Sequence, residues 1–309
     1  MIRVATYNLY LGADLALLFG ATDAADLDRR VRLVREQLRA TAPAERALAV
    51  ARLLARHRPD LVGVQELTRW TLTPFEGPPV VLDDFRARLE AALERESCPY
   101  DVHAVAPSFG GGMPVPGAGL LAVEGVNAVL VRRGGLVVVE AGEGGAFATR
   151  LCVRTAVPGV EFPIERGWGA VRCRLGDRRF RFVNTHLEAY DEGTRAAQRD
   201  ELLARFAVGP VILVGDFNAT PDRVGMPCGY LDAWTAGTGP GHTCGQAPDL
   251  ANEQSLLSER IDYVWVRGAR VTGCTLIGDD PADRTCGGLW PSDHAGVLAT
   301  VDLADLPGA

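Results

Sequence analysis

Apolar positions recur at two periods along this chain. Residues 2–9 alternate around Val4 and Thr6, which predicts a strand ending at Asn8. Residues 11–25 are apolar but broken by Gly12 and Gly20. Leu27, Val31, Val34 and Leu38 fall at helical spacing and predict a helix over 26–40 with Asp26 as its N-cap. Pro43 opens a second helix to about His57, with Ala44 and Glu45 in its first turn. The run Asp60-Leu-Val-Gly-Val-Gln-Glu66 reads as a buried strand of the parallel type that ends on a glutamate. A helix is expected over 83–95, and the Gly/Pro-rich stretch 107–119 reads as loop. Strands follow near 120–123, 127–132, 135–140, 147–157, 168–175 and 179–187. A helix over 191–207 precedes a central strand at 210–215. Residues 225–258 read as Gly/Pro-punctuated loop, and strands return at 260–266, 269–277 and 295–302. Helix-linked strands mixed with hairpins, without a linker or an internal repeat, predict one α/β domain with mixed sheets over 1–309.

Several of these strands end on side chains that a buried strand should avoid. They are Asn8, Glu66, Asn184 with His186, Asp216 with Asn218, and Asp293 with His294. Singly, an Asn after a strand is a turn former and a Glu is a solvated rim. Together they line the strand ends where open α/β sheets bind ligands. Glu66, Asp216, Asn218 and Asn8 offer oxygen donors, which suit Mg²⁺, Mn²⁺ or Ca²⁺ rather than zinc. Asp216 and Asn218, two residues apart, would share one side of an extended segment. His186 and His294 can change charge near neutral pH, and a histidine held by a carboxylate can take a proton from water. Metal, base and cationic histidine together suit displacement at phosphorus.

Composition narrows the partners. The 309 residues are 47% hydrophobic, enough for a large core, and the net charge is −7. The basic residues are arginine-rich and do not interleave with aromatics, which weighs against a protein that grips nucleic acid along a basic face. The N-terminus reads as a strand rather than a targeting segment, and no run approaches the ~18 apolar residues of a transmembrane helix. The expectation is a cytoplasmic protein with no transmembrane segment; the sequence says nothing about oligomeric state. Seven scattered cysteines without a CxxC predict reduced thiols, with Cys152 and Cys173 in the core. One disulfide among Cys228, Cys244 and Cys286 is the alternative.

Six segments resemble, in order, the motifs of the endonuclease/exonuclease/phosphatase superfamily. They are Thr6-Tyr-Asn-Leu9, Val64-Gln-Glu66, Asn184-Thr-His-Leu187, Gly215-Asp-Phe-Asn218, Arg260-Ile-Asp-Tyr263 and Ser292-Asp-His294. The superfamily includes deoxyribonucleases, abasic-site endonucleases, neutral sphingomyelinases and inositol polyphosphate 5-phosphatases. The resemblance implies a four-layer α/β sandwich, two mixed β-sheets packed face to face and flanked by helices. It also implies roles: Glu66 as principal metal ligand with Asn8 beside it, and Asp293 as a further metal-side carboxylate. Asp216 and Asn218 would position water and phosphate, Asp262 would orient the general base His294, and His186 would bond a phosphoryl oxygen or assist the leaving group; in the expected in-line attack, Asn184 and Asn218 would join His186 in stabilising the pentacoordinate state. Thr185-His186-Leu187 is similar to the deoxyribonuclease and sphingomyelinase branches, and Tyr10 stands where abasic-site enzymes carry an acid.

Two stretches exceed what compact members need, one near 11–45 and one over 225–258, and both are expected to wall the substrate pocket. Arg166, Trp290 and His242 are candidate substrate contacts. The leading expectation is a phosphoester hydrolase dependent on Mg²⁺ or Mn²⁺, acting on a phosphodiester or phosphomonoester of a lipid-like or small organic substrate. The alternatives are a nuclease acting on DNA or RNA and a non-hydrolytic enzyme of specialised metabolism on the same scaffold.

Overall fold

The computed structural model describes residues 1–115 and 117–304. The chain begins β1 (Ile2–Asn8), α1 (Ala16–Phe19), α2 (Ala24–Ala40), α3 (Pro43–His57), β2 (Leu61–Pro74), β3 (Val80–Asp84) and α4 (Phe85–Arg95). It continues through β4 (Tyr100–Val115), β5 (Gly119–Arg132), β6 (Val138–Ala146), β7 (Leu151–Arg154), β8 (Glu161–Ile164), β9 (Gly167–Leu175) and β10 (Arg178–His186). After α5 (Glu192–Arg205) come β11 (Val211–Asp216), β12 (Leu231–Asp232), β13 (Asp262–Arg267), β14 (Arg270–Ile277) and β15 (Gly296–Asp302).

One sheet runs β14-β15-β1-β2-β5-β4 with β3 beside β2, and the other runs β12-β13-β11-β10-β9-β6. Both are mixed: β1 pairs parallel with β2 and β10 parallel with β11, while the remaining neighbours are antiparallel. The two parallel pairs are those joined through helices, as parallel crossovers require. Apolar side chains from both sheets share one buried cluster, so the sheets pack face to face. Helices α3 and α4 cover the outer face of the first sheet, and α5 covers that of the second.

The strand period of two explains where the chemistry sits. Side chains facing the layer between the sheets are apolar at one end and polar at the other. On β1 this row is Ile2, Val4, Thr6, Asn8; on β10 it is Phe180, Phe182, Asn184, His186; on β11 it is Ile212, Val214, Asp216. The apolar end holds the sheets together by burial. The polar end is stitched by hydrogen bonds between the sheets: Asn8 Nδ2 donates to Asp216 Oδ2 at 3.0 Å, and Gln65 Nε2 to Asn184 Oδ1 at 2.6 Å. The sheets close tightly at Gly63, where a Cβ would lie 2.4 Å from Val214 Cγ2 and 2.6 Å from Asn184 Oδ1. Only glycine fits there.

Five sequence expectations need correction. The stretch 107–119 is not loop: residues 107–115 and 119 belong to the paired β4 and β5, and residue 116 lies outside the described residues. Glycine and proline are tolerated because β4 is the edge strand of its sheet. The strands expected at 120–123 and 127–132 are one strand, β5. The strand through Glu66 does not end there but runs to Pro74, with its register broken between Val64 and Leu67. Helix α2 starts earlier, capped by Asp23, whose side chain accepts the Asp26 amide, because Asp26 is itself in the first turn. Cys152 lies on the exposed β7–β8 hairpin rather than in the core; Cys173 is buried, and all seven cysteines are free thiols.

Candidate active site

The polar ends of β1, β2, β10, β11 and the segments before β13 and β15 converge at one end of the inter-sheet layer. Glu66 reaches it through a bulge. Gln65 turns inward to bond Thr6 and Asn184, and Glu66 adopts φ 59. A left-handed backbone at a non-glycine residue is costly and re-aims the side chain. Glu66 Oε1 accepts from Asn8 Nδ2 at 3.2 Å and Oε2 from the Leu11 amide at 2.7 Å. Asn8 Oδ1 accepts the Tyr10 amide at 3.0 Å, so Asn8 presents its N–H groups to the two carboxylates. Behind this turn, the buried guanidinium of Arg46 donates to the carbonyls of Leu9, Tyr10, Thr41 and Pro291, tying the first motif to the last.

Asp262 and His294 form a buried pair, with Nδ1 and Oδ2 2.8 Å apart. The 225–258 stretch fixes it: Thr243 Oγ1 accepts the amides of Ile261 and Asp262, and the Thr243 carbonyl accepts from Ala295. His294 Nε2 then faces Asp216 and Asp293, each at 4.0 Å. Burial opposes charge on this ring, but the Cys244 sulfur and the carboxylates of Asp262 and Asp293 outweigh it and hold its pKa well above 6.5.

His186 stands across Asp216, with Nε2 3.4 Å from Oδ2. Its Nδ1 lies 3.2 Å from Arg166 Nη1 and 3.4 Å from Ser108 Oγ. A guanidinium can only donate, so Nδ1 must accept, and the ring is the neutral tautomer with its proton on Nε2. Burial, then the charges of Arg166 and His294, push its pKa well below 6.5.

Asp216 is pushed up to about 7, by burial first and then by Asp262. Asp293 is pushed up to about 6, by burial first, with Glu66 adding and His294 opposing. Among the described residues, no arginine forms an ion pair with Glu66, Asp216, Asp262 or Asp293; the three aspartates face histidines instead. Four carboxyl groups so placed carry a negative charge that a hard divalent cation would neutralise. Asp216, Asp262 and His294 also offer ligand atoms within 4.8 Å of one another, but the Asp262–His294 hydrogen bond already uses one lone pair of that set.

The structure sorts the remaining candidates. Asn218 does not share a strand face with Asp216: β11 ends at Asp216 and Asn218 turns with φ 50, its amide donating to Asp216 Oδ1 and its side chain to the Leu187 carbonyl. Asn184 sits one layer deeper, with Nδ2 donating to the carbonyls of Val64 and Ala128 at 2.9 Å each, so it bridges sheets and has no free N–H for a phosphate. Trp290 is fully buried beneath Tyr10 and donates to the Asn252 carbonyl. His242 lines a separate cleft with Trp234 and Asp279. Arg166 lines a cavity that begins at Glu66 and Asp293. Both long stretches reach that cavity, through Leu11 and Phe19 and through Gln246 and Pro248. Sequence reasoning missed Ser108, hidden in the stretch read as loop, and Cys244 beside His294, which carried no motif signal.

A family model described as Endonuclease/Exonuclease/phosphatase family matches residues 5–294. No curated protein matches the chain. Among solved structures, a truncated TDP2 of Caenorhabditis elegans aligns with a TM-score of 0.56 and 20% identity, over 97% of this chain and 96% of that one. A mannosyl-6-phosphatase of Bacteroides thetaiotaomicron aligns with a TM-score of 0.60 and 18% identity, over 98% and 100%. A D. rerio TDP2 complexed with a single-strand DNA product aligns with a TM-score of 0.57 and 17% identity, over 97% and 98%. At these identities the likeness is one of fold.

Proposed function

Because the chain belongs to the endonuclease/exonuclease/phosphatase family, a family of phosphoric ester hydrolases, we propose that it hydrolyses a phosphoester of a small organic alcohol with a divalent cation, Mg²⁺ or Mn²⁺. Glu66 and Asp293 would hold the cation, with Asp216 and Asn8 beside them. When bound, such a cation neutralises the phosphoryl oxygens and relieves the negative field on His294. The carrying observation is the pairing of two unlike histidines across Asp216: His294 backed by a carboxylate at 2.8 Å, His186 backed by a guanidinium at 3.2 Å.

The chemistry divides between them. His294, with Nδ1–H held by Asp262, takes a proton from water at Nε2 as the water oxygen bonds to phosphorus. The ester P–O bond breaks in line, the leaving oxygen takes a proton from solvent water, and His294 returns the proton it took to solvent. His186 donates Nε2–H to a phosphoryl oxygen as charge builds on it. Asp216 and Asn218 orient the water and phosphate. A small substrate is favoured over nucleic acid because, among the described residues, Arg166 is the one arginine lining the cavity, against Asp14, Glu66 and Asp293.

The test is a thermal melt and a bis-para-nitrophenyl phosphate assay on the same protein with EDTA, Mg²⁺ or Mn²⁺, and on His294→Ala. The expected result is a melting temperature raised by the cation in both proteins, and hydrolysis in the wild type alone. At a concentration of about 100 Kd the cation should add about 2.7 kcal/mol of stability. Hydrolysis that survives EDTA, or persists in His294→Ala, would overturn the reading.

A further inference from the structure

The cavity that begins at Glu66 and Asp293 has a chemistry of its own. Its volume, polar end included, is ≈ 250 Å³. Its far wall is apolar and comes from four separated segments: Phe19 on α1, Phe109 and Met113 on β4, Val123 on β5, and Phe162 on β8. Met113 and Val123 are buried, and the three phenylalanines pack against the same core cluster while remaining only partly buried. A wall anchored in the core and open on its cavity side is preformed for a ligand.

Two of the polar side chains around this wall spend their hydrogen bonds within the protein. Gln246 Oε1 accepts from Asn252 Nδ2 and the Leu256 amide at 2.8 Å each, and its Nε2 donates to Ser255 Oγ. Tyr10 donates its hydroxyl to the Pro248 carbonyl at 2.9 Å. Asp14 spends one carboxylate oxygen on the Ala16 amide at 2.9 Å. A ligand rich in hydroxyls would set most of them against the five apolar side chains of the wall, where an unpaired hydroxyl costs more than an unmade contact. Phe19 packs tilted on Phe162 with centroids 5.4 Å apart, and edge-on to Tyr190 at 5.3 Å. Rings that fill one another's gaps leave no cage for an ammonium group. At the polar end, Arg166 brings a buried guanidinium to the cavity, and among the described residues only its Nη1 is engaged, with Ser108 and His186.

We propose that this cavity is the specificity pocket for the organic group of the substrate, and that this group is an uncharged apolar ring or a short branched chain. An apolar cavity of about 150 Å³ already holds a benzene, so this one takes a single or fused ring rather than a polymer segment. The proposal rests on the phosphoester reading above, which sets the phosphoryl group at the Glu66 and Asp293 end.

Phosphonates, whose C–P bond is not hydrolysed, separate the pocket from the chemistry. Equilibrium titrations with Mn²⁺ present would compare benzylphosphonate, methylphosphonate, a glucose 6-phosphonate analogue and trimethylammonioethylphosphonate. Benzylphosphonate should bind at least about tenfold more tightly than each of the others. Gly111→Phe should remove that advantage and leave methylphosphonate unchanged, because Gly111 lines the cavity and a Cβ there meets nothing within 4 Å. Phe109→Ser should weaken benzylphosphonate alone, by several-fold. Equal affinities, a tighter sugar or ammonium ligand, or an advantage that survives Gly111→Phe would each overturn the proposal. Failure of the phosphoester reading shows differently, as no binding of methylphosphonate and no hydrolysis of bis-para-nitrophenyl phosphate.

Discussion

The two halves of the site use the same residue type to opposite ends. His186 and His294 are both buried and both face Asp216, at 3.4 and 4.0 Å. Burial alone would depress both pKa values, and a shared neighbour cannot tell them apart. The ring nitrogen turned away from Asp216 makes the difference. On His294 it meets Asp262, which together with the Cys244 sulfur and Asp293 raises the pKa against burial; on His186 it meets Arg166, which adds to burial in lowering the pKa and leaves Nδ1 an acceptor. One half is therefore built as a proton acceptor whose basicity is tuned by negative charge. The other is a fixed hydrogen-bond donor. What lies behind each imidazole sets what it does in front.

The largest effect should come from breaking the His294 half. Asp262→Asn keeps the size of the side chain and removes its charge. The amide can also donate to Nδ1, forcing the proton onto Nε2, where the lone pair is needed. We expect kcat to fall by about a thousandfold, about 4 kcal/mol. In histidine NMR titrations the His294 pKa should drop while that of His186 stays in place. A loss below tenfold would mean that His294 does not act as the base.

This contrast was half visible in the sequence. The strand ends gathered Asn8, Asn184 with His186, and Asp216, and the resemblance of the ordered motifs put Asp262 with His294. Arg166 was picked out as a substrate contact but not as the hydrogen-bond partner of His186, and Ser108 was not picked out at all. Arg166 precedes β9, and Ser108 lies on a strand that its glycines and prolines disguised as loop. Glycine is rare in strands because it packs nothing, yet in the β4–β5 hairpin pairing with β5 carries the segment. The Asp216–Asn218 pair misled for a related reason: spacing by two implies one face only while the strand continues, and this strand stops at Asp216. Trp290 and His242 were drawn to the site by nearness in sequence to motifs or long loops. Volume and hydrogen bonding placed one in the core and the other in a different cleft.

A smaller effect should come from the His186 half. Arg166→Met removes the donor to Nδ1 and the charge that helps keep the ring neutral. Losing a hydrogen bond from a charged donor is worth about 2 kcal/mol, so kcat/KM should fall by about thirtyfold. The His186 pKa should rise toward 6.5 in the same titrations, with His294 little changed. If Arg166 acted only as a phosphate clamp, KM would rise and the His186 titration would not move.

The smallest effect tests the group the two halves share. Asp216 has its carboxyl pushed up from 3.8 by burial and by Asp262. A carboxyl raised in the folded state binds its proton more tightly there than in the unfolded chain. It therefore contributes stability below pH 4 that is lost as pH rises through its folded pKa. Without a cation, stability should decline between about pH 4 and pH 7 through this group. Asp216→Asn removes that part of the slope but also weakens the bond from Asn8, which donates to the carboxylate at 3.0 Å. The net expectation in EDTA is a variant more stable than the wild type by about 1 kcal/mol at pH 7.5, and no more stable at pH 4.5. Urea unfolding at the two pH values measures it. Adding Mn²⁺ at pH 7.5 should reverse the order, because the ionised carboxylate that burdens the bare site is what the cation needs. A variant that gains as much from Mn²⁺ as the wild type would place Asp216 outside the charge the two histidines share.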